Sequence, residues 1–306
     1  MAIRESIRRH PVLAYFALTF AISWGGVLSL GAPSGMPAPS EVSAKTWPFV
    51  FLPYFVGPIL SGLLLTGLVH GRAGFGELRA RFSKWRVGAG WYAVALLTAP
   101  LLIAPMLLAL SMASSDFLPR IITTADKAGV VLSGIMVGLV FGGLMEELGW
   151  TGFATPELRR RQSVLATGLI VGIMWGVWHI LPTFWASGDA SGGISLDLQL
   201  PPLVFYLGVL PVYRVLMVLV HDRTWSLPVV ILMHASLTAS TLFILAPSVD
   251  GMLLSAYYAI LTAALAVVVA AVAGAKRRRL SRQPLQERQG SRAGALAPSG
   301  MDAATK

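Results

Sequence analysis

The chain alternates long, uninterrupted apolar runs with short polar stretches in which arginines cluster. Eight runs stand out, at 12–31, 47–69, 91–113, 128–151, 164–186, 201–220, 227–247 and 251–274. Each is close to the ~20 residues an α-helix needs to cross roughly 30 Å of hydrocarbon. Inside a bilayer every backbone N–H and C=O must bond internally, which leaves helices or closed barrels. Barrel strands alternate polar and apolar side chains, and these runs do not. The pattern predicts an all-α, polytopic transmembrane bundle of eight helices. The first run follows Arg8 and Arg9, as a secretory signal would. It is longer than the roughly 7–15 apolar residues of a signal core, and no clear cleavage site follows, so it reads as a retained helix.

Composition sharpens this picture. Of 306 residues, 55% are hydrophobic and 12% charged, against about 25% charged in ordinary soluble domains. The absence of cysteine removes disulfides, thiolate nucleophiles and cysteine-based zinc sites. A net charge of +10 would suit nucleic acid, but the placement of the charges points to membrane orientation, and no nucleic-acid partner is expected. With the N-terminus inside, basic residues gather at 4–9, 72–86, 159–161, Arg223 and the tail, whereas the outer loops hold only Lys45, Arg120 and Lys127. That asymmetry is the positive-inside pattern. The expected organisation is a cytoplasmic N-terminus (1–11), a transmembrane bundle (12–274) with a core at 128–247, and a basic, disordered cytoplasmic tail (275–306), polar and poor in large apolar residues. Abundant arginine, alanine and glycine suit a GC-rich bacterial genome, hence a bacterial plasma membrane.

Ionisable groups inside apolar runs are costly and mark function. Glu146 and Glu147 lie in the fourth run, His179 in the fifth, Arg214 in the sixth and His234 in the seventh. Neighbouring residues on a helix point about 100° apart, so the two carboxylates cannot do the same work. One can face a reacting centre while the other braces a helix. Two carboxylates and two imidazoles suit activation of water: a carboxylate as general base, imidazoles orienting the water or stabilising an oxyanion. The same set could hold zinc as His₂Glu plus water, although no H-E-x-x-H signature is present. Ser236 is too near His234 along the helix to face it.

Three short motifs resemble those of the CPBP family of intramembrane proteases, which includes CAAX prenyl endoproteases and bacteriocin-processing or bacteriocin-immunity proteins. Glu146-Glu147-Leu148-Gly149-Trp150-Thr151-Gly152-Phe153 is similar to the EExxxR motif. Trp175-Gly176-Val177-Trp178-His179 is similar to FxxxH, with tryptophan for phenylalanine. His234-Ala235-Ser236-Leu237-Thr238 is similar to HxxxN, with threonine for asparagine. The resemblance covers about 128–245 and implies an intramembrane endopeptidase that hydrolyses a peptide bond with glutamate-activated water. It implies Glu146, Glu147, His179 and His234 as catalytic residues, Glu146 being the base, with Thr238 and Trp175 supporting; Arg214, a cation inside a span, is added as a supporting residue on its own account. A divalent metal such as zinc, if held, would take Glu146, His179 and His234. The implied partners are a peptide or membrane-protein substrate and the lipid bilayer. Thr151 stands where the family has arginine. A non-catalytic immunity or scaffold protein and a transporter stay open as alternatives.

Three structural expectations follow. Glu146, His179 and His234 should converge on one interior cavity opening toward the cytoplasm. A new helix should start at Thr155 and Pro156, as N-cap and first residue. Arg214 should neutralise the acidic pair through Glu147, replacing the arginine missing at position 151.

Overall fold

The computed structural model describes residues 2–282. Among them eight helices are long and apolar enough to span a membrane. They are α1 (Pro11–Ser34), α2 (Ser40–Phe82), α3 (Ala89–Ser111), α4 (Lys127–Arg159), α5 (Val164–Ala186), α6 (Leu196–Thr224), α7 (Leu227–Ile244) and α8, which begins at Gly251 and spans to Gly274. The chain is a polytopic helical bundle, as the apolar pattern requires. α8 continues to Arg282, past the expected start of the tail at 275; residues 283–306 lie outside the described residues. Contacts divide the chain into two units, with the boundary after Leu265. Every functional residue belongs to the first.

Local chemistry places the helix ends. Asp126 caps α4 by accepting from the Gly129 N–H at 2.9 Å, and Ser163 caps α5 by accepting from the Ala166 N–H at 3.1 Å. Each satisfies a backbone donor with no partner in its own helix. Between α6 and α7 the chain reverses at Trp225, whose φ is 53°, and α7 restarts with Pro228 in its first turn.

An α-helical stretch does begin at Thr155, with Pro156 in its first turn, but it continues α4 and no separate helix starts there. α4 runs on through Arg159, and the Thr155 hydroxyl donates to the Trp150 carbonyl at 2.8 Å instead of capping. A proline inside a helix removes an N–H and frees the carbonyl four residues back, here that of Gly152. Arg81 Nη2 from α2 donates to that carbonyl at 2.8 Å, so a side chain replaces the missing backbone donor. α4 also widens into π-helical turns at Gly138–Glu146 and Trp150–Ala154, the first ending on Glu146 and the second following the short α-helical stretch that starts at Glu147. Such turns re-aim side chains and recur at functional sites.

Glycines set how closely the helices approach. A Cβ on Gly172 of α5 would lie 2.5 Å from Pro211 Cα of α6, and one on Gly138 of α4 would lie 2.6 Å from the Ala235 carbonyl of α7. Small residues let backbones meet in this way inside membranes. The consequence is positional: α4, α5, α6 and α7 are drawn together around Trp175, and the polar residues of all four meet there.

Candidate active site

Trp175, fully buried on α5, lies against four of the five intramembrane ionisable residues. Its indole Nε1–H donates to Glu146 Oε2 at 2.5 Å. Its ring centre is 4.7 Å from that of His234 and 6.0 Å from that of His179, and the Arg214 guanidinium lies 4.2 Å from the ring centre. Phenylalanine would pack similarly but could not donate to Glu146.

The two glutamates have different surroundings. Glu147 and Arg214 are both 0% exposed. Arg214 Nη1 and Nη2 each donate to Glu147 at 2.8 Å, a two-pronged ion pair. His234 Nδ1 adds a bond to Glu147 Oε1 at 2.7 Å, and the Thr151 hydroxyl donates to Oε2. Burying charges costs several kcal/mol per ion unless paired and hydrogen-bonded; here both oxygens are engaged. Arg214 thus fills the place left by the absent arginine at 151. Thr151, which cannot form an ion pair, still contributes a hydrogen bond. Glu146 has one hydrogen-bonded oxygen, to Trp175, and lines a cavity of about 460 Å³ with His179 and His234.

The cavity brings together Glu146, His179, His234, Trp175 and Thr238. A Cβ on Gly142 would come within 2.8 Å of Thr238 Oγ1 and 3.1 Å of His234 Nε2, so glycine there leaves both groups room. Glu147 and Arg214 are not among its lining residues; they pack behind its floor, Glu147 bonded to His234 and Arg214 over Trp175. Ser236 turns away and donates to the Leu96 carbonyl at 2.7 Å.

The cavity does not run toward the arginine-rich helix ends, the side on which its opening was expected. From Glu146 the lining extends to Trp47, Ala186, Ser187, Pro201, Leu242 and Leu254. These lie near the start of α2, the end of α5, the start of α6, the end of α7 and the start of α8. The arginine clusters sit at the opposite ends of those helices, beyond the floor. Position along antiparallel helices decides which end is reached, and a list of polar residues does not contain it.

The histidine hydrogen bonds constrain their chemistry. His179 Nδ1 lies 2.9 Å from the Trp175 carbonyl, which only accepts, so Nδ1 carries the proton. His234 Nδ1 faces the Glu147 carboxylate in the same sense. In the neutral rings each Nε2 is then an acceptor. Among the described residues no three His, Asp or Glu form a group able to hold a metal. The donors therefore do not fit an ion shared by Glu146, His179 and His234.

Two tyrosines carry no motif and were not anticipated. Tyr206 stacks on His179, with ring centres 4.7 Å apart, and its hydroxyl is 2.9 Å from Thr183 Oγ1. Tyr54 stacks on Trp178 at 4.0 Å, and its buried hydroxyl has no partner among the described residues. Both line the cavity. The available signal was slight: the prolines flanking Tyr54 in an aromatic stretch of α2.

Residues 128–240 match the family model described as type II CAAX prenyl endopeptidase Rce1-like. A protein named CAAX prenyl protease 2, from Methanococcus maripaludis, is 32% identical over 73 residues, which are 24% of this chain and 27% of that protein. The chain thus aligns with about a quarter of that relative's length. The matched stretch, from α4 into α7, builds most of the polar site and is similar in sequence to the Rce1-like CAAX prenyl endopeptidases.

Proposed function

We propose that the protein is an intramembrane endopeptidase in which Glu146 activates water for attack on a peptide carbonyl. The observation that carries this reading is that Glu146, His179 and His234 line one cavity, inside a stretch similar to a protease family. Water donates one proton toward the free Glu146 oxygen and its other toward a histidine Nε2. As its oxygen bonds to the carbonyl carbon, Glu146 takes up a proton. That proton passes to the amide nitrogen as the C–N bond breaks, leaving a carboxylic acid and an amine; the acid's remaining proton then moves to the amine, giving carboxylate and ammonium. General-base assistance of this kind contributes about 10²–10⁴-fold.

The neutral histidines are acceptors at Nε2, so oxyanion donors must come from elsewhere. The unpartnered Tyr54 hydroxyl and Thr238 Oγ1 have the required O–H. Glu147, Arg214 and Thr151 act as a brace, fixing His234 and sealing the floor. This reading weakens the case for a non-catalytic protein, because Arg214 supplies the charge absent at 151. The peptide or membrane-protein substrate, the bacterial plasma membrane and the cytoplasmic termini belong to the same proposal.

The test is cleavage of a mixed peptide library by the purified protein in proteoliposomes, read by mass spectrometry. Products should appear with the native chain and vanish with Glu146→Gln, which keeps the size and the tryptophan contact. Equal cleavage by Glu146→Gln and His179→Ala, with contaminating protease excluded, would reject the assignment.

A further inference from the structure

We infer that the cavity takes its polypeptide from the non-cytoplasmic face of the membrane. The proposal rests on the endopeptidase reading and adds the substrate class: an apolar segment of an exported or membrane-anchored polypeptide, presented on the outer side.

The argument joins two independent observations. The first is charge. At the helix ends beyond the cavity floor lie Arg4, Arg8 and Arg9, the basic residues of 72–86, those of 159–161, and Arg223. The ends around the mouth hold three basic residues, Lys45, Arg120 and Lys127. The same ends carry Glu41, Asp116, Asp126, Asp189, Asp197 and Asp250. Segments rich in lysine and arginine remain cytoplasmic, so the mouth end is the outer one.

The second observation is the one-sided shape of the cavity. Below Glu146 the path toward the arginine-rich end is filled by the Glu147–Arg214 pair, both 0% exposed, and by buried Trp150, Thr151 and Phe153. A peptide arriving from the cytoplasm would have to break that ion pair. Above Glu146 the lining is largely aromatic and aliphatic, with Phe51, Phe55 and Phe141 on one side and Leu242, 52% exposed, at the rim. An apolar segment fits that lining.

The lack of native cysteine makes the test direct. Thr183→Cys and Ala186→Cys each place a thiol in the cavity, away from the proposed base. Ser191→Cys reports the mouth-side loop, and Ser83→Cys the arginine-rich end. A membrane-impermeant maleimide is applied to intact cells and to permeabilised cells. The expected result is labelling of residues 183, 186 and 191 in intact cells, with residue 83 reacting only after permeabilisation. Having two cavity positions guards against one variant failing to accumulate. Cavity thiols that react only together with residue 83, or residue 191 protected in intact cells, would overturn the inference. Labelling needs no turnover, so it can fail while Glu146-dependent cleavage stands, and the reverse.

Discussion

On one side of Trp175, Glu147 is held by Arg214, His234 and Thr151 with no solvent access. On the other, Glu146 keeps one hydrogen-bonded oxygen and faces a cavity. Two identical, adjacent side chains therefore meet different physics. The first is a buried charge made tolerable by complete pairing; the second is left with unused acceptor capacity. Removing a partner on the sealed side should cost stability, whereas changing a group on the open side should cost turnover.

The largest expected effect is on the sealed side. Arg214→Leu strands the Glu147 carboxylate and should destabilise the protein by about 3–5 kcal/mol, the cost of breaking a buried ion pair. Thermal unfolding in detergent reads this. Adding Glu147→Leu should recover part of the loss, because the stranded charge goes with it. No loss in the single variant would remove the distinction between the two sides.

On the open side, Tyr54→Phe deletes a buried hydroxyl without a partner. Unfolding should change little, while turnover should fall about 10²-fold if that hydroxyl stabilises the oxyanion. Unchanged turnover would leave Thr238 as the donor. Trp175→Phe tests the boundary between the regions. It keeps an aromatic ring but loses the donor to Glu146, which should slow turnover about tenfold, the equivalent of ~1.4 kcal/mol, with a smaller change in stability. A KM effect without a kcat effect would argue against Trp175 positioning the base. Smallest is Thr151→Val. Arg214 still covers Glu147, so the loss should be about 1 kcal/mol, with cleavage retained.

Much of this was legible along the chain. Eight apolar runs gave eight helices, and run boundaries differed chiefly where polar residues extend a helix beyond the membrane, as in α2 and α4. Arg214 was expected to reach Glu147 because an unpaired cation in a span needs a counter-charge. Two signals misled. Thr155-Pro156 looks like a helix start, but Arg81, distant in sequence, supplies the hydrogen bond the proline removes. Tyr54 and Tyr206 belong to no motif, and in an apolar span an aromatic residue is indistinguishable from packing.

By itself the sequence determined the helical class, the number of spans, the arginine-rich end and the identity of the polar residues at the site, because hydrocarbon penalises each unsatisfied backbone group and charge locally. Tertiary structure decided which glutamate is sealed and which is open, the hub at Trp175, the tyrosines and the direction of the cavity. Those depend on helix rotation and depth, set by glycine contacts and π-helical turns among α4, α5, α6 and α7. A shift of one residue turns a side chain by about 100°, enough to exchange a buried brace for a cavity-facing carboxylate.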